Sequence, residues 1–195
     1  MSKLEVKYKP GNIVVIAGAE FVVLDIEKIG LSEYGDVLYV LSADIIGESS
    51  FGENCDYTMS ELKNVIDKWF YEQHLYEFSV PKNVDLVEKD ECSGYKAMET
   101  FASPLTLEEF QKYSKVIPHC QNCYWLASRR EGSSNRAMMV NMRNRPVGDD
   151  CTKLRGVRPA FKIWSKFVGC INLNRVPTCY LLDEIRRRIE TGEKE

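Results

Sequence analysis

The stretch Tyr124-Trp125-Leu126-Ala127-Ser128, followed by an Arg- and Asn-rich run and closed by Gly156-Val157-Arg158-Pro159-Ala160-Phe161-Lys162-Ile163, decides how this chain is read. Two apolar segments, 124–128 and 157–163, have the length and composition of buried strands and bracket a polar, cationic middle. That pattern predicts a surface excursion pinned at both ends into a core. A shorter strand, Met138-Met139-Val140, is predicted within it.

Upstream, Lys9-Pro10-Gly11-Asn12 is a turn signal. The runs Ile13–Ile16 and Phe21–Ile26, joined through Gly18-Ala19-Glu20, predict a β-hairpin, and the nearly all-apolar Val37–Ser42 predicts a central strand buried on both faces. Residues 47–58 read as a loop. Ser60 as N-cap with Glu61 in the first turn opens a helix whose apolar side is Leu62, Val65, Ile66, Trp69 and Phe70. Pro81 to Asp90 reads as an extended segment with a turn. Thr106 as N-cap, with Glu108 and Glu109 behind it, opens a second helix carrying Leu107, Phe110, Tyr113 and Val116, stopped before Pro118. Residues 179–189 have helical periodicity, with Arg186-Arg187-Arg188 at the C-terminal end. The expected architecture is α+β: residues 1–165 form one domain, an antiparallel sheet with two packed helices, and 166–195 form an extension with a short helix.

Composition narrows the function. The seven cysteines, Cys55, Cys92, Cys120, Cys123, Cys151, Cys170 and Cys179, are odd in number and irregularly spaced, which argues for free thiols in a reducing cytoplasm. No apolar run approaches the ~20 residues of a membrane span, and the start, Met1-Ser2-Lys3-Leu4-Glu5, has no signal-peptide core. All eleven arginines lie after position 128. Residues 1–128 carry 11 Lys against 21 acidic groups, a net of −10; residues 129–195 carry 11 Arg and 4 Lys against 8, a net of +7. Such a split means either a cationic face directed at a partner or two halves that pair in the fold.

Candidate chemistry is sparse. His119-Cys120-Gln121-Asn122-Cys123 offers one Cys-x-x-Cys with an adjacent His, but a zinc site needs a second ligand pair, and a redox motif opens a helix rather than a strand. Two His and seven Cys leave a Cys–His nucleophile open, without a recognisable elbow or orienting third group. Glu88, Asp90 and Glu91 are an acidic loop, and Gly47–Gly52 lacks the Lys-Ser/Thr of a phosphate loop. No metal, cofactor or catalytic set is assigned. The candidate partner-binding residues are Trp125, Arg129, Arg130, Asn135, Arg136, Asn141, Arg143, Asn144 and Arg145, planar donors suited to carboxylates, phosphates, sugars and acidic protein surfaces. Arg158, set before Pro159, reads as structural: a buried ion pair or a cap for loop carbonyls.

From Pro10 to Ile163 the chain resembles a family of domains of unknown function, the DUF6273 type, common in phages and prophages of Firmicutes. The residues that carry the likeness are, in order, Pro10-Gly11, Phe21–Asp25, Leu41-Ser42, Ser60–Lys63 with Trp69-Phe70, Leu105–Phe110 with Lys112-Tyr113, Tyr124–Ser128 and Gly156–Phe161. The small Asp-Gly turn usual after the third of the later strands is replaced by Asn141-Met142-Arg143-Asn144-Arg145-Pro146. The resemblance implies a domain distantly like the C-type-lectin-like fold. That likeness of fold does not imply a function; with the cationic run as its binding surface, the chain is expected to be a non-catalytic phage or prophage protein that binds a glycan or protein of the bacterial host, and its free thiols, missing export signal and split charge equally fit an intracellular inhibitor of a host defence enzyme. Nucleic acid is a third candidate, with an acidic overall charge and no reader motif against it.

Overall fold

The pattern of alternating burial along two strands explains the architecture. In Tyr124–Arg129, Tyr124 and Leu126 enter one apolar cluster while Trp125 and Ala127 enter another. In Val37–Ser42, Leu38 and Val40 enter the second cluster and Tyr39 and Leu41 the first. Strands sandwiched between two cores must be apolar on both faces, which is why neither shows a polar alternation.

The computed structural model describes residues 8–30, 32–86 and 98–168. In chain order these form β1 (Ile13–Ile16), β2 (Ala19–Glu27), β3 (Val37–Ser42), β4 (Gly47–Ser49), α1 (Glu61–Glu72), β5 (Ser79–Val80), β6 (Lys82–Val84), β7 (Met98–Thr100), β8 (Ala102–Ser103), α2 (Leu107–Tyr113), β9 (Tyr124–Arg129), β10 (Arg136–Val140), β11 (Pro146–Asp150), β12 (Arg155–Val157) and β13 (Ala160–Trp164). The fold is α+β, with mostly antiparallel strands. One sheet runs β1-β2-β3-β13-β5, with β8 also on β13; a second runs β11-β10-β9-β12-β4; β6 and β7 form a separate ribbon. The single expected sheet is therefore two. The only parallel contact in them joins Gly156 to Tyr124.

Local chemistry sets both helices where the sequence places them. Ser60 Oγ accepts from the Lys63 N–H, and α1 buries Leu62, Ile66 and Phe70, with Val65 and Trp69 half-buried at the margin. Thr106 and Glu109 form a reciprocal capping box on α2, which buries Phe110. Each helix covers one core: α1 the core of Trp125, Ala127 and Phe161, α2 the core of Tyr124, Leu126 and Ala160. The β1–β2 turn falls at Ala17-Gly18, one residue earlier than expected, with positive φ at both.

Two further expectations are corrected. Gly47–Ser49 is a strand because it finds a partner, β12, that only the fold supplies. The expected strand 157–163 is two strands in different sheets, β12 and β13, broken at Arg158-Pro159. Pro159 has no N–H for a ladder, and Arg158 turns inward. Its guanidinium is 1% exposed. It donates to the carbonyls of Ser42 (2.8 Å), Ala43 (3.1 Å) and Pro118 (3.4 Å), and its carbon lies 5.1 Å from the Tyr124 ring centroid. Of the two readings for Arg158, the carbonyl cap is the one found. A Cβ on Gly156 would collide with Ile45 Cδ1 and meet the Cys123 carbonyl at 3.0 Å, so Ile45 would have to shift. The closing motif is thus the crossover that joins the sheets.

The core continues past residue 165. Phe167 packs on Phe78 at 4.7 Å, and the Ser165 N–H donates to the Asp36 carbonyl, so residues to 168 belong with the domain. The acidic loop 88–91 and the expected helix at 179–189 lie outside the described residues.

Candidate functional site

The Arg- and Asn-rich run is not one loop. It is two hairpin connections at opposite ends of β10, with an unexpected edge strand, β11, inside it. β10 is five residues long, so the two ends stand about 15 Å apart at the rise of an extended strand. Arg129, Arg130, Asn135 and Arg136 gather at the β9–β10 end. Asn141, Arg143, Asn144 and Arg145 gather at the β10–β11 end.

Trp125, expected on this surface, is fully buried. Its Nε1 donates to the Ser49 carbonyl at 2.9 Å and its ring meets Phe51 edge-on at 5.6 Å. A residue in the middle of a central strand faces a core whichever side it points, so Trp125 supports the surface from beneath. The asparagines shape turns. Asn135 accepts the Ser133 hydroxyl and, through its carbonyl, the Cys151 N–H. Asn141 Oδ1 accepts the N–H groups of Arg143 (2.9 Å) and Arg145 (3.1 Å). Asn144 takes the left-handed conformation with φ 55°. Asparagine thus stands where glycine would serve in this turn.

A cleft of about 850 Å³ runs from the β9–β10 connection along β10 to the start of β11. Its walls are the start of α2 (Thr106, Leu107, Glu108), the end of β9 (Ser128–Arg130) and the start of β11 (Pro146–Gly148), with Met138 as the apolar floor. The Leu107 N–H donates to Ser128 Oγ at 2.9 Å and fixes the helix to the strand. The Arg130 stem lies directly over Gly148, where any Cβ would collide with it. The cleft has mixed charge: Arg129 and Arg130 face Asp85, Glu108 and Glu131. Beside it, Asp149 binds Lys153 (2.8 Å) and Arg155 (2.6 Å). Burial works to raise the Asp149 pKa, but these hydrogen bonds and that of the Asp150 N–H outweigh it and hold it down at about 2.

Arg130, Arg136, Arg143 and Arg145 are exposed and, among the described residues, make no side-chain ion pair. One ion pair that does join the two halves is Lys162–Glu27.

A buried polar network went unseen in the sequence. Lys82, on β6, donates to Tyr39 Oη at 2.6 Å and reaches Glu109 Oε1 at 3.4 Å; Tyr39 donates to the same oxygen at 2.7 Å. Burial pushes the Lys82 pKa down while Glu109 opposes it, and burial with Glu109 pushes Tyr39 well up. Glu109 Oε2 is taken by the Thr106 N–H. Every member is satisfied, so the network ties α2 and β6 to β3. A cavity of about 350 Å³ beside it is lined by Asp25, Glu27, Lys112 and Lys162, already paired as Lys112–Asp25 and Lys162–Glu27. No residue pattern announces this site, since a lone lysine in a short strand normally reads as surface.

Cys120, Cys123 and Cys151 are in no disulfide, the Cys55 thiol donates to the Ser133 carbonyl at 3.4 Å, and burial pushes Cys151 up to about 11. His119 Nε2 donates to the Met142 carbonyl at 2.8 Å. Among the described residues no group of three or more His, Cys, Asp or Glu could hold a metal ion, and no helix is long and apolar enough to cross a membrane. No protein-family model, curated protein or solved structure matches the chain.

Proposed function

We propose that this chain is a non-catalytic binding protein that recognises a protein or glycan partner through the connections at the two ends of β10. The carrying observation is that Arg130, Arg136, Arg143 and Arg145 stand exposed without an acidic partner among the described residues, on a chain with acid to spare. They project from strands anchored in two cores, and function commonly sits on connections held by such a scaffold. The resemblance to phage and prophage domains supports a partner in the bacterial host and a scaffold distantly like the C-type-lectin-like fold. The free thiols favour the variant in which the partner is an intracellular host enzyme and the chain its inhibitor.

The test is an affinity capture from host lysate with nuclease present, at low and high salt, using the full chain and Arg143→Glu/Arg145→Glu. The reading expects a stoichiometric partner that the double variant loses, with a melting temperature unchanged within about 2 °C because both side chains are in solvent. Capture that disappears with nuclease would point to nucleic acid instead. A large fall in melting temperature would show the arginines to be structural and overturn the reading.

A further inference from the structure

The two ends of β10 differ in a way that separates a contact point from a support. At the β9–β10 connection, Arg129 and Arg130 line the cleft together with three carboxylates, Asp85, Glu108 and Glu131. At the β10–β11 end, the turn Asn141–Arg145 presents Met142, 62% exposed, with Arg143 and Arg145, which make no ion pair among the described residues, within three residues of it.

Isolated exposed apolar residues are ordinary on protein surfaces. What distinguishes Met142 is the rigidity of its mount. The Asn141 N–H donates to the Arg145 carbonyl (3.0 Å) and the Asn144 N–H to the Asn141 carbonyl (2.8 Å). Asn141 Oδ1 accepts from the backbone of Arg143 and Arg145, and His119 holds the Met142 carbonyl from outside the turn. Five hydrogen bonds fix five residues. Directly below, Met139 and Val140 are buried. A turn held this way loses little conformational entropy on binding. Methionine and arginine are also the residue types enriched at protein interfaces, methionine because its unbranched thioether fits irregular sockets.

Resting on the binding reading above, we propose that the β10–β11 turn is the point of contact: Met142 enters an apolar socket on an acidic protein surface, with Arg143 and Arg145 pairing the carboxylates around it. An apolar socket rimmed by carboxylates is a feature of protein surfaces, and a phosphate backbone gains little from a thioether, so the proposal names a protein. His119 and Asn141 are positioning residues.

The test places a photo-crosslinking residue at position 142, and separately at position 138 in the cleft, in the full chain exposed to nuclease-treated host lysate. The crosslinked protein is then purified and titrated against variants. The proposal expects crosslinking from 142, a loss of roughly tenfold for Met142→Ala and roughly 100-fold for Arg143→Glu/Arg145→Glu, and a change under about threefold for the shape-conserving Met142→Leu. Asn141→Ala should weaken binding with the three contact side chains still present. Crosslinking from 138 alone would overturn this proposal and leave the binding reading standing, through the cleft. Crosslinking from neither position would refute both. A partner captured from 142 whose affinity is unchanged by Met142→Ala would also overturn the anchor role.

Discussion

Replacing Arg158 with methionine keeps most of the apolar stem and removes every donor, which isolates what the guanidinium contributes. It makes two well-formed charged hydrogen bonds, to Ser42 and Ala43, and a longer one to Pro118. Charged hydrogen bonds contribute about 1.5–3 kcal/mol each, and the contact with the Tyr124 ring about 1 kcal/mol. Against that stands the desolvation of a buried cation, several kcal/mol, which the substitution relieves. The stranded carbonyls decide the sign, since Ser42 is buried and the half-buried carbonyls of Ala43 and Pro118 can rewet only in part. We expect Arg158→Met to destabilise by about 3 kcal/mol, a large fraction of the roughly 5–15 kcal/mol of an ordinary domain. Arg158→Lys, which can reach one carbonyl at a time, should fall between. Urea unfolding followed by tryptophan fluorescence and far-ultraviolet circular dichroism measures both. A loss below about 1 kcal/mol with an unchanged denaturant slope would refute the reasoning, because the three carbonyls would then have other partners.

The Asp149 cluster gives a pH signature. Its pKa falls from 3.8 to about 2 on folding, so its contribution, at most about 2 kcal/mol, is fully present above pH 4 and is lost as pH falls towards 2; Asp149→Asn should flatten that part of the acid-unfolding curve. Gly156→Ala drives a methyl against Ile45 and the Cys123 carbonyl and should destabilise by about 1–3 kcal/mol, with Ile45→Val recovering part of the loss in thermal melts. Asn144→Val places a β-branched residue at φ 55° and should destabilise by about 1–3 kcal/mol; a neutral result in the same melts would mean that the turn rearranges readily.

Both helices were legible because their signals are local. Ser60 and Thr106 satisfy N–H groups two or three residues away, and the 3.6-residue period puts Leu62, Ile66 and Phe70 on one side regardless of what they meet. The β1–β2 hairpin and β3 were legible for the same reason. The strands β4 and β11 were not: Gly-Glu-Ser and Pro-Val-Gly-Asp-Asp have weak intrinsic preference and are strands because β12 and β10 offer them hydrogen-bonding edges. The candidate binding residues were legible as a composition and not as a place. Insertion of β11 sends half of them to each end of β10, and Trp125 is removed from the surface by the core on its face.

By itself, then, the sequence determined an α+β chain with two capped helices, apolar strands meant for burial on both faces, and an arginine excess confined to its second part. Tertiary structure alone decided that the strands divide into two sheets, that Arg158 turns inward at their crossover, and that Met142, Arg143 and Arg145 share one hydrogen-bonded turn at the end of β10. The physical reason is range. Caps, turns and periodicity are settled within a few residues, whereas strand partners and the neutralisation of charge depend on groups that meet across more than a hundred residues, as Arg158 meets Ser42 and Lys162 meets Glu27.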